Sequence, residues 1–177
     1  MTTAISRRIP PQRLINALNP LVRVALESPL HAALDNALLV LHVYGRKTNR
    51  RFDIPIGYAA VQHRLITVTQ HTWRVNLRGG ADIDVTYRGH RHRMRADLDE
   101  DPTTVAADLR TIIDLLGAKA AERRLGLILH GRTPGLAELE DAVRAYHLST
   151  VTLTPPTTDR EPTHRTGTAR KHDPAGR

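Results

Sequence analysis

The sequence predicts a mainly β (α+β) fold: a split, half-closed antiparallel β-barrel of about six strands with flanking helices. Three observations predict it. Short apolar or alternating runs recur between residues 38 and 98, separated by turn-forming residues. Two of those connections are hairpin-sized. Helical periodicity is confined to the segments before and after the strands, an order that favours a closed or half-closed antiparallel barrel.

In order along the chain, residues 9–34 predict two short helices, the first opened by Pro10 and Pro11 and broken at Asn19-Pro20, the second stopped near Ser28-Pro29. Leu38 to Tyr44 is an apolar strand. Phe52 to Tyr58 alternates, with Phe52, Ile54, Ile56 and Tyr58 on one face. The connection Gly45-Arg46-Lys47-Thr48-Asn49-Arg50 is a hairpin tip, because Gly45 and Asn49 tolerate positive φ. Arg64 to Gln70 is a third strand. Thr72 to Gly80 reads as one or two helical turns, with Thr72 as N-cap and Gly79 as C-cap. Asp82 to Tyr87 and Arg91 to Leu98 form a second hairpin. Asp101-Pro102 opens a helix whose buried stripe is Val105, Leu109, Ile112, Ile113 and Leu116. Thr133-Pro134 opens another, with Leu136, Leu139, Val143 and Tyr146 inward. Leu148 to Thr154 is the sixth strand. The domain reading is therefore a flexible N-terminus over 1–9, a coenzyme-sized barrel domain over 10–155, and a disordered basic tail over 156–177. That tail lacks the large apolar side chains that would offset its ordering entropy.

Composition narrows the partners. The formal charge is +8, from 26 basic against 18 acidic residues, so anionic partners are favoured. Aromatic residues are only 3% of the chain, which argues against the base-stacking surfaces of nucleic-acid binders. Without cysteine there is no thiolate chemistry and no disulfide. No apolar run reaches membrane-spanning length and no signal-peptide block follows Arg7-Arg8, so a cytoplasmic location is expected.

The basic hairpin tip is the most informative stretch. Several backbone N–H groups, the Thr48 hydroxyl and the cations Arg46, Lys47 and Arg50 suit a phosphate, and equally a solvated basic turn. In order and spacing, Gly45-Arg46-Lys47-Thr48, then Pro55, Tyr58, Trp73 with Asn76-Leu77, and the ending Val151-Thr152-Leu153-Thr154-Pro155 resemble the deazaflavin (F-420)-dependent nitroreductase and quinone reductase family of the split β-barrel flavin-binding superfamily. The resemblance covers residues 38–87 most closely, and 10–37 and 101–155 more loosely. It implies that Arg46, Lys47 and Thr48 grip the phosphate and acidic tail of coenzyme F-420. It implies that Ile54, Pro55, Ile56 and Gly57 lie along the coenzyme, that Val68, Thr69, Gln70 and His71 meet its ring, and that Trp73 and Asn76 complete the pocket. The implied activity is hydride transfer from the reduced coenzyme to a small apolar acceptor such as a quinone or a nitroaromatic. The sequence departs from the family at Asn49, where glycine is usual, at Phe52, where many members carry arginine, at Gln70, where a small residue is usual, and in a shorter loop before Trp73.

Several residues carry a plainer reading beside the functional one. Trp73 can be core or pocket wall. His71 can be a surface histidine or a proton donor to the reduced acceptor. His90 and His92 share a strand face but lack a third ligand, so no metal site is expected. The alternative functions are an FMN-dependent reductase and a non-catalytic flavin-, haem- or lipid-binding module. A homodimer and a peripheral membrane contact for quinone access are left open.

Overall fold

The structure, a computed structural model, describes residues 6–7 and 38–155. The helices expected over 9–34 and the tail over 156–177 lie outside the described residues. Within the segment expected to be flexible, β1 (Ser6–Arg7) pairs antiparallel with β7 (Leu127–Ile128).

Six strands form the barrel: β2 (Leu38–Tyr44), β3 (Arg51–Val61), β4 (Arg64–Thr69), β5 (Ala81–Tyr87), β6 (His90–Asp99) and β8 (Ser149–Thr154). Their order around the barrel is β2-β3-β4-β8-β6-β5, with β5 returning to β2, and every pairing is antiparallel. Closure removes the exposed edges that a flat sheet of these strands would leave.

Alternation along the strands splits the apolar residues into two cores. Leu39, Leu41, Val43, Tyr58, Leu65, Ile83, Val85, Met94, Ala96, Val151 and Leu153 fill the barrel lumen. Ala59, Val61, Ile66 and Val68 point outward, beneath the helices. Those helices are α1 (Pro102–Leu116), α2 (Ala118–Leu125) and α3 (Leu136–Tyr146). Leu109, Ile112 and Leu139 are fully buried in this second core, and truncating any one to alanine should cost roughly 2–5 kcal/mol. Thr150, also fully buried, donates to Asp108 Oδ2 at 2.8 Å and ties α1 to β8.

The start of α1 is as expected: Asp101 Oδ1 accepts from the Thr104 N–H at 2.9 Å, and Pro102 opens the helix. The last helix differs. It begins at Leu136, not at Thr133-Pro134, because the Gly135 N–H donates to Glu138 Oε2 at 2.9 Å and Gly135 becomes the N-cap. Leu136 then falls on the solvent side and is 52% exposed, whereas Leu139 and Val143 are buried and Tyr146 is partly buried. The sequence reading also missed α2, which Gly117 separates from α1 at φ 75°.

A 3-10 helix, Thr72–Leu77, crosses the hairpin-tip end of the barrel and plugs it with Leu77, which is fully buried. Its N-cap is His71, not Thr72, and no side chain caps it. Gly79 and Gly80 then reverse the chain into β5 at φ 81° and 76°. At Gly80 the positive φ favours glycine, and a Cβ there would also displace the Arg95 guanidinium.

Candidate functional site

The β3–β4 ladder is incomplete. Its register runs only from Val61↔Arg64 to Tyr58↔Thr67, so Arg51–Gly57 of β3 pair with β2 alone. Val68 and Thr69 at the end of β4 pair with β8 alone. The two strands therefore diverge above the Tyr58–Thr67 rung. Pro55 sits in the unpaired stretch and has no N–H with which to extend the ladder. Ile54, Pro55, Ile56, Gly57, Gln70, His71 and Trp73 are all half-buried along this split.

The hairpin tip closes one end of it. The Gly45 N–H donates to the Arg50 carbonyl at 2.9 Å, and the Asn49 N–H to the Gly45 carbonyl at 2.8 Å. Asn49 has φ 50°, which accounts for asparagine where glycine would also serve. Thr48 Oγ1 accepts from the Arg50 N–H at 3.4 Å, leaving its own proton to donate. The Arg50 guanidinium lies 5.7 Å from the centre of the Phe52 ring.

Many of the other arginines on the surface carry a carboxylate partner. Arg51 pairs with Asp53, Arg74 and Arg78 with Glu100, Arg91 and Arg93 with Asp84, and Arg95 with Asp97. Among the described residues, no carboxylate pairs with Arg46, Lys47 or Arg50. The Arg46 guanidinium binds the neutral Arg78 carbonyl, so its charge stays uncompensated. Three adjacent cations without counter-charges suit a polyanionic ligand.

The sequence-predicted residues are brought together unevenly. Arg46 and Asn76 meet: the Arg46 N–H donates to Asn76 Oδ1 at 3.1 Å, and Asn76 Nδ2 donates to the Trp73 carbonyl at 2.9 Å. Asn76 thus braces the tip against the 3-10 helix with both ends of its amide. Ile54, Ile56 and Trp73 pack on the same lumen core. Lys47 and Thr48 are exposed at the tip. Pro55 and Gly57 alternate with the lumen-facing residues and lie on the outward face of β3. Val68 corrects the expectation that its side chain walls the ring pocket: it is 3% exposed and packs under the helices, because the lumen-facing positions of β4 are Leu65, Thr67 and Thr69. Only its backbone can line the split. Thr69 is fully buried, and its Oγ1 accepts from the His71 N–H at 3.1 Å.

Sequence reading missed four features. Thr67, on the last rung before the split, is fully buried and its Oγ1 has no hydrogen-bond partner among the described residues. On the outer face, His42 is 6% exposed, with Nδ1 2.6 Å from Asp53 Oδ1 and Nε2 2.8 Å from Thr86 Oγ1. Burial alone would raise the Asp53 pKa, but the hydrogen bonds and charges of His42 and Arg51 hold it below the usual carboxylate range. Glu100 receives both Arg74 and Arg78. Tyr58 packs edge-to-face on Tyr87 at 5.3 Å, and burial first, with Tyr87 second, raises its pKa. The alternation at Tyr58 was the one signal that could have pointed to any of these. The others join residues far apart in the chain.

The group chemistry fits a phosphorylated ring coenzyme. Uncompensated cations lie at one end of the split, half-buried apolar side chains line it, and an orphaned hydroxyl lies at its base. No known sequence family matches the chain, and no curated protein does, so the deazaflavin resemblance rests on the short motifs above. Among solved structures, a pyridoxamine 5'-phosphate oxidase-related, FMN-binding protein from Nostoc punctiforme is similar at 13% identity over 78% of this chain and 80% of that one, with a TM-score of 0.38. At that score the likeness is distant, and the barrel and its split stand on this chain's own strand pairing.

Proposed function

We propose that the chain binds a phosphorylated flavin-type coenzyme in the split between β3 and β4 and acts as a hydride-transfer reductase. The observation that carries this reading is the tip itself: Arg46, Lys47 and Arg50 lack carboxylate partners among the described residues, and the tip lies at the end of the stretch where β3 and β4 are unpaired. Three cations exceed what a single phosphate requires, which favours a coenzyme with a longer acidic tail, F-420, over FMN. When bound, such a coenzyme supplies the hydride. The protein's own task is to bind, orient and shield. Arg46, Lys47 and Thr48 hold the anionic end, Ile54, Ile56 and Trp73 exclude water from the ring, and His71 at the end of β4 offers a proton to the reduced acceptor. The acceptor class is a small apolar planar molecule, such as a quinone or a nitroaromatic.

Fluorescence titration of the full chain with F-420 and with FMN tests the binding. Saturable quenching with F-420 at lower concentration than with FMN is expected, and the reverse order would assign FMN. Acceptor-dependent oxidation of the reduced coenzyme tests the reaction. Tight binding with no oxidation across quinones and nitroaromatics would reduce the protein to a binding module.

A further inference from the structure

Glu100 lies between β6 and α1, far in sequence from the tip and the 3-10 helix, yet it holds Arg74 within that helix and Arg78 at its C-cap. Its Oε1 accepts from Arg74 Nε at 3.2 Å and from Arg78 Nη2 at 3.0 Å, and its Oε2 accepts from Arg78 Nε at 2.7 Å. The two arginines carry the connection onward. Arg74, with a side chain only 15% exposed, donates through Nη1 to the Gln70 carbonyl at 2.7 Å and to the His71 carbonyl at 3.3 Å. The Arg78 carbonyl receives the Arg46 guanidinium. One carboxylate is therefore bonded, through one arginine, to the chain entering Trp73 and, through the other, to the cationic tip. It is also the counter-charge that Arg74 and Arg78 share, whereas Arg46, Lys47 and Arg50 have no carboxylate partner among the described residues.

From these contacts we infer that Glu100 is a positioning residue, a clamp that fixes the ring-side wall at Trp73 and the anion grip at Arg46 in one relative geometry. Its structural part stands without a ligand; its functional part rests on the coenzyme-binding reading above. A bidentate Arg78 contact and a second arginine on one carboxylate hold orientation more tightly than a single exposed ion pair does. Glu100 is exposed and belongs to neither apolar core, and a cleft of about 380 Å³ opens beside it and Arg74.

Trp73 is the chain's single tryptophan, so its fluorescence reports the clamped helix with no ligand present. In the full chain, Glu100→Gln should raise acrylamide quenching of Trp73 about twofold, whereas Glu138→Gln, which breaks the Arg132 ion pair elsewhere, should not. Glu100→Asp should restore part of the wild-type value. A double-mutant cycle in coenzyme affinity then tests the coupling. Arg46→Ala should cost about tenfold in the wild-type background and under about threefold with Glu100→Gln, because the tip is no longer registered. Unchanged Trp73 quenching in Glu100→Gln, or a fully additive cycle, would overturn the clamp. If the wild type binds neither F-420 nor FMN, the coenzyme reading fails on its own, and the Trp73 comparison still decides the clamp.

Discussion

The Arg46 N–H donates to Asn76 Oδ1 across 30 residues of sequence, and through that bond the basic hairpin tip is fixed against the helix that carries Trp73. The other end of the same amide donates to the Trp73 carbonyl. We predict that Asn76→Ala lowers coenzyme affinity about fivefold, the equivalent of one hydrogen bond of about 1 kcal/mol, with little change in Tm. Isothermal titration beside a thermal melt checks it. A collapse in Tm with affinity retained would make Asn76 purely structural.

Replacing Arg46 and Lys47 together by alanine should weaken binding of an anionic coenzyme by about 150-fold or more, since two charge-assisted contacts of about 1.5–3 kcal/mol each are lost. The loss should shrink as salt rises, because these exposed cations are screened. Titrations at two ionic strengths read both effects. An affinity that ignores both the substitution and the salt would remove the tip from the site.

Thr67→Val removes the buried hydroxyl that has no partner and keeps the side chain's shape. The apo protein should become more stable by about 0.5–1.5 kcal/mol, because an unsatisfied buried hydroxyl is costly. Chemical denaturation measures it. A loss of stability would mean that the hydroxyl has a partner in solution.

Asp53 gives the fold an acid-sensitive contact. Its pKa lies below the usual value in the folded state, so its contribution is complete above the unfolded pKa of about 4 and is lost as pH falls through the lower folded value. Asp53→Asn should therefore destabilise the protein at pH 7 by about 1 kcal/mol, and its Tm should fall less steeply than wild type between about pH 4 and pH 2. Parallel Tm curves would show that the His42–Asp53–Arg51 cluster does not respond to protonation of Asp53. Glu138 is held at about 2 by Arg132 and the Gly135 N–H, so Glu138→Gln should flatten the most acidic end of the same curve.

The barrel and its hairpins were legible in the sequence because they depend on local properties. Apolar alternation along Phe52–Tyr58 sets which face is buried, and Asn49, at φ 50°, sets where the chain turns, whereas Gly45 takes no positive φ. Asp101-Pro102 sets where a helix begins. The Gly45–Arg50 tip was legible for the same reason, since its cations are neighbours in the chain. What only the tertiary structure decided is which of the cations gain a carboxylate from elsewhere in the chain. Arg74 and Arg78 are as basic by sequence as Arg46 and Arg50, but Glu100 reaches them through the fold. The resemblance likewise places Val68 against the coenzyme ring, whereas the face its side chain takes is set by the register that pairs Tyr58 with Thr67. A sequence fixes spacing along one strand, whereas the partner strand and the carboxylate across the barrel are chosen by closure, which brings together residues far apart in the chain.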